Sequence, residues 1–158
     1  MNNYKIEIKW AIIFTLMMLV WMFLEKTFGL HDVHIDKHPS YTNLVAIPAI
    51  IIYELALLDK RNNFYHGKMT YKQGFIAGLI ISIIVTIFSP LTQYITSEII
   101  SPDYFSNVIA YTVKEGHMTQ AAAESFFNLK SYLLQVLIAT PIMGILTTAI
   151  VAIFTKKS

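Results

Sequence analysis

The chain has 158 residues, 55% of them hydrophobic and only 14% charged, which is too apolar for an ordinary soluble domain and long enough for one bundle of membrane helices. Its net charge of +2 is a small difference between 12 basic and 10 acidic residues, so it gives no ground for a nucleic-acid partner; the partner that composition implies is the lipid bilayer. The lack of cysteine excludes disulfides, redox dithiols and thiolate metal sites.

The first apolar run covers residues 10–24, closed by Glu25 and Lys26. That length reaches only about 22 Å as a helix. The predicted span therefore takes in about residues 8–28, with Lys9 and Glu25 snorkelling and Trp10 and Trp21 at the two interfaces. No small-residue cleavage site follows, so the segment reads as a retained span and not a signal peptide. Residues 30–40 are polar and histidine-rich, and Pro39 should prevent a helix from continuing through them.

The second span is predicted over residues 41–58, capped by Ser40 or Thr42, kinked at Pro48 and carrying Glu54 as its one charge. Residues 59–72 hold Lys60, Arg61, Lys68 and Lys72 among turn-forming residues, the densest basic cluster in the chain. The third span, residues 73–97, has no charge. Its Gly74, Gly78, Ser82, Thr86, Ser89, Gln93 and Thr96 recur every three or four residues and share one helical face. Helices gain nothing hydrophobic by leaving lipid, so a face of small and polar residues is the one that packs against protein.

Residues 98–130 are expected to form a helical hairpin. Ser101-Pro102-Asp103 reads as a helix start, Gly116 as a stop and Thr119 as a second cap, with the second helix running unbroken into the last span. That span, residues 131–155, is again uncharged, and after Pro141 it repeats small residues at Gly144, Thr148, Ala152 and Thr155. The fold class is thus an all-α integral membrane protein, one domain over residues 1–158. It has four transmembrane helices and an extracytoplasmic helical hairpin between the third and fourth.

Orientation follows from the basic residues flanking the spans. Lys5, Lys9, Lys60, Arg61, Lys68, Lys72, Lys156 and Lys157 fall on one side, against Lys26, Lys37, Lys114 and Lys130 on the other, which predicts cytoplasmic N- and C-termini. Both small-residue stripes then lie in the cytoplasmic leaflet. Gly74, Gly78 and Ser82 are expected to meet Gly144, Thr148 and Ala152 in an antiparallel contact; the alternative is that Gly74 and Gly78 pack against the first span or a second copy of the chain.

Three kinds of candidate site emerge. His31, His34 and His38 are spaced at i, i+3 and i+7 and on a helix would offer three imidazoles to a zinc-like ion; on an irregular loop they would simply be solvated. Glu54 is an ionisable group inside a span, where it either pairs near the interface or lines a polar pocket. Gln93 and Gln135 are polar residues suited to interhelical hydrogen bonds. Nucleophile elbows, phosphate-binding glycine loops and paired membrane carboxylates are missing from the sequence, and five histidines are too few for the histidine-box hydroxylases and desaturases. No enzyme and no cofactor is expected.

The segments NYKIEIKW, GLHDVHIDKH, YTNLVAIPAI, LALLDKRNNFY, MTYKQGFIAGLI, SPLTQYITS and AIVAIF together resemble the domain-of-unknown-function 4199 family of small bacterial membrane proteins, over nearly the whole chain. The resemblance implies four transmembrane helices in the bacterial inner (cytoplasmic) membrane and carries no activity, cofactor or site residue. Two functions stand open. One is a non-enzymatic structural or interaction component, working as a homo-oligomer or with a membrane protein partner. The other is a protein that handles a small solute or metal ion at the outer histidines and the polar face of the third helix.

Overall fold

A computed structural model describes residues 4–157. Four helical stretches are long and apolar enough to cross a membrane, Lys5–Thr27, His38–Asn63, Tyr71–Ile100 and Leu129–Thr155, and the chain is a multi-pass membrane protein. The first is α1 (Lys5–Thr27). The second starts as the short α2 (His38–Tyr41), passes through a 3-10 turn at Thr42–Val45 and becomes α3 (Ala46–Asn63). The third is α4 (Tyr71–Ile95) with a π-helical tail at Thr96–Ile100; α5 (Tyr104–Lys114) and α6 (Gln120–Phe126) then lead to α7 (Leu129–Thr155).

The second helical stretch is longer than residues 41–58 at both ends. Pro39 sits in its first turn, where its missing N–H costs nothing, so it opens this stretch while no helix runs into it from α1. The last stretch does not continue α6. The chain breaks at Phe127, and Asn128 takes extended backbone with its side chain accepting from Ser131 N at 2.9 Å, a cap that begins α7 afresh.

α4 is the central helix, in contact with α1, α3 and α7. Its closest partner is α7, and the reason is glycine. A Cβ built on Gly78 would fall 2.5 Å from Thr148 Oγ1, and one on Gly144 would fall 2.6 Å from Ser82 Cβ, so neither position has room for a methyl group. Gly74 faces Ala152 in the same register. Above this seam the Tyr53 hydroxyl from α3 meets Ser82 Oγ at 2.8 Å, tying three helices together. Pro90 lies inside α4 and leaves Thr86 O without its usual donor; Ser89 Oγ takes over that bond at 2.8 Å. Ile83, Ile87 and Leu91 of α4 and Met143, Leu146, Ile150 and Phe154 of α7 point outward, a surface suited to lipid tails.

One end of the bundle collects α1's start, the α3–α4 connection and α7's end. There Met69 and Lys157 pair through both backbone bonds, at 2.9 and 2.8 Å, and Arg61 Nη1 donates to Thr155 O at 3.1 Å. The opposite end holds the loop after α1, the π-helical turn and α5.

Candidate functional site

The site begins with how α1 stops. Gly29 takes φ +75°, a left-handed value natural to glycine, so that its N–H reaches Lys26 O at 3.0 Å and Leu30 N–H reaches Glu25 O at 2.9 Å. This paired closure turns the chain back on itself and sets His31 against Glu25, six residues earlier. The loop then proceeds by successive turns, with His34 N–H on Gly29 O at 2.8 Å, until α2 starts at His38. His31, His34 and His38 therefore do not share a helical face. His31 and His38 turn inward to Glu25, while His34 is exposed.

Glu25 is 2% exposed and His31 1%, and neither is left unpaired. Trp21 Nε1 donates to Glu25 Oε1 at 2.5 Å, and Thr42 also hydrogen-bonds the carboxylate. The other oxygen, Oε2, receives His31 Nε2 at 3.1 Å and His38 Nε2 at 3.2 Å. On its far side His31 Nδ1 meets Ser101 Oγ at 2.6 Å, and Asn107 Nδ2 donates to His31 O at 3.0 Å. Ser101 reaches this position because the π-helical turn shifts the end of α4, with Ser101 N–H bonding Thr96 O at 2.8 Å. It binds the buried imidazole instead of capping α5, whose first turn is preceded by Asp103.

The Tyr104 ring stands against both imidazoles, its centroid 5.1 Å from that of His31 and 5.4 Å from that of His38. Burial, reinforced by the adjacent Tyr132, pushes its hydroxyl well above the usual phenol range, so it forms a neutral wall. Outside the cluster the Val33 amide and Lys26 hold the half-buried Asp32 carboxyl below its ordinary range.

Beside the histidines lies a cavity of about 180 Å³, lined by His31, His38, Thr42, Ser97, Tyr104 and Tyr132 among others. A second, of about 110 Å³, shares Met22, Gln93 and Thr96 with it and follows Ser89 and Thr92 along α4 between α1 and α7. The polar face of α4 thus divides in two. Its Gly74–Ser82 half closes against α7, and its Ser89–Ser97 half lines open space.

The family described as Protein of unknown function (DUF4199) matches the chain over residues 9–157. The chain belongs to this family. No curated protein and no solved structure matches it. Membership covers Glu25, His31, His34, His38 and Ser101 alike, so the whole site lies within the family region.

The remaining polar residues of the spans are placed differently. Gln93 Nε2 donates to Ser97 Oγ at 2.9 Å on its own helix and lines the cavity; Gln135 is exposed and bonds Ser131 Oγ at 3.3 Å, also within its helix. Glu54 is exposed on the outward face of α3, and its side chain makes no hydrogen bond or ion pair among the described residues. At the other end of the bundle Lys60 Nζ pairs with Glu7 at 2.8 Å, both buried, and also sits 3.7 Å from the Phe64 ring centroid. Lys9 and Trp10 both bond Asp59.

Glu25, Ser101 and Glu7 are absent from the candidates that sequence gives. A signal for Glu25 existed: a Gly-Leu pair closing a helix four residues after a glutamate brings the following residue back toward it. No comparable signal marks Ser101, whose place depends on the π-helical turn.

Proposed function

We propose that this chain is a non-enzymatic structural or interaction component of the bacterial inner membrane, with cytoplasmic termini and an extracytoplasmic α5–α6 hairpin, working in an assembly with a second copy or another membrane protein. The observation that carries the assembly is Glu54. It lies on the outward stripe of α3 among Ile47, Ile50, Ile51 and Leu55, all exposed. It is nine residues before the helix ends at Asn63, about 13 Å along the axis. Side chains on a helix tilt toward its N-terminus, so Glu54 leans toward the middle of the bilayer, away from the nearer interface. A carboxylate there costs several kcal/mol against lipid unless protein covers it.

Native mass spectrometry of the protein released gently from membranes tests this. The wild type should appear as an assembly, and Glu54→Leu should release single folded chains. A wild type that is monomeric throughout, and gains stability on Glu54→Leu, would show that lipid alone faces this stripe.

A second reading, handling of a small solute or metal ion, is supported by a specific arrangement at the other end of the bundle: Glu25 and two histidines beside a cavity that continues along α4. The two readings are compatible, since the assembly face of α3 and the outer cavity use different residues.

A further inference from the structure

The inference rests on the second of these readings and gives it a ligand. We infer that Glu25, His31 and His38 form a binding site for a divalent transition-metal cation of the zinc class, with its remaining coordination position open to the adjacent cavity.

The donor atoms are already gathered. Glu25 Oε2 and one nitrogen from each histidine lie within 4.8 Å of one another. A tetrahedral ion with bonds of about 2.0–2.1 Å separates its ligands by about 3.4 Å. The two carboxylate–imidazole distances are 3.1 and 3.2 Å, so a small outward movement of each imidazole admits the ion.

The surroundings favour a positive charge. Glu25 is a buried carboxylate in the last turn of α1, where the helix end is itself negative and repels an anion. Lys26, the basic residue beside it, turns away to Asp32 at 3.3 Å. Two imidazoles converging on one buried carboxylate oxygen suit a bound cation. Imidazole and carboxylate without thiolate select zinc, iron, nickel or copper over calcium and magnesium, which take all-oxygen sites.

The supporting contacts also match what a metal site requires. Trp21 occupies Oε1 and fixes the carboxylate, leaving Oε2 to the two imidazoles. Ser101 Oγ lies 2.6 Å from His31 Nδ1, and a hydroxyl can accept there, which places the Nδ1 proton and leaves Nε2 free to ligate. Three protein ligands beside a cavity of about 180 Å³ leave a coordination position for water or a small solute.

The test uses the full chain in detergent, stripped by a chelator, reloaded with Zn2+ and desalted. One Zn2+ per chain should remain. Glu25→Gln and His38→Ala should weaken binding at least about a hundredfold, and Ser101→Ala by about tenfold, while His34→Ala leaves it unchanged. Because Glu25 is buried and its variant can fail to fold, the wild type is also loaded with Cu2+. Its electron spin echo modulation should show two imidazole nitrogens in wild type and His34→Ala alike. A wild type that retains neither metal overturns the site, and so does binding lost in His34→Ala but kept in His38→Ala. A Ser97→Cys variant, whose thiol is unique in the chain, separates this failure from failure of the wider reading. If no metal binds but a small water-soluble methanethiosulfonate labels Cys at that position, the cavity still admits a solute and only the metal is wrong. With neither binding nor labelling, both fall.

Discussion

Gly78 of α4 and Thr148 of α7 fill one another's space: Thr148 is fully buried, and its side chain occupies the volume that a Cβ on Gly78 would need. Backbone approach of this kind recovers dispersion contacts that lipid tails cannot supply to a backbone held apart. Gly78→Ala should therefore destabilise by about 1–3 kcal/mol. Thr148→Ala should be partly compensatory in the double variant, because the Thr148 hydroxyl and methyl are the nearest clashing atoms. Ile87→Leu on the exposed face of α4 should change little. Unfolding in mixed micelles measures all of them, and additive effects in the double variant would break the pairing.

At the opposite end of the bundle from Glu25, Lys60→Met should cost about 3–5 kcal/mol by leaving Glu7 buried without its cation. Replacing both residues by leucine should cost much less than Lys60→Met alone. The same unfolding assay decides, and a double replacement as damaging as the single one would show that the charges matter beyond their pairing.

Burial raises the Tyr65 phenol above its ordinary value of about 10, and the negative charge of Glu7 adds to it. The folded state thus holds this proton more tightly than the unfolded chain. Its contribution to stability is present below about pH 10 and is lost as pH rises through the folded value. Glu7→Gln should bring the Tyr65 pKa part of the way down, followed by the ring-carbon signal that Tyr65→Phe removes. An unchanged titration would mean that Glu7 does not act on this ring.

Gly29→Ala should cost about 1–2 kcal/mol, because alanine resists φ +75°. The loss should be concentrated in the loop after α1: amide exchange should quicken at Leu30 and His34, whose N–H groups bond within the turn, ahead of α4 and α7. Uniform quickening across the bundle would contradict this local role.

Reporter fusions at Asn63 and Gly116 test the orientation, with cytoplasmic activity expected at the first and extracytoplasmic activity at the second. The reverse result would turn the Glu25 cluster to the cytoplasmic face.

The sequence by itself determined the four spans, since uncharged runs of this length have few other homes, and the small-residue stripes of α4 and α7, since period and residue size are both local properties. It located Gly116 as the end of α5 and Thr119 as the cap of α6, because left-handed φ and side-chain capping also depend on neighbouring residues only. The tertiary structure decided what the histidines do. Their spacing described a helical face, but Gly29 ends the helix and folds the loop, so Glu25 joins His31 and His38 while His34 faces outward. Ser101, 70 residues along the chain from His31, became its partner only through the π-helical turn at the end of α4. Contacts between distant segments depend on how the helices are offset and turned against one another, and no local spacing carries that information.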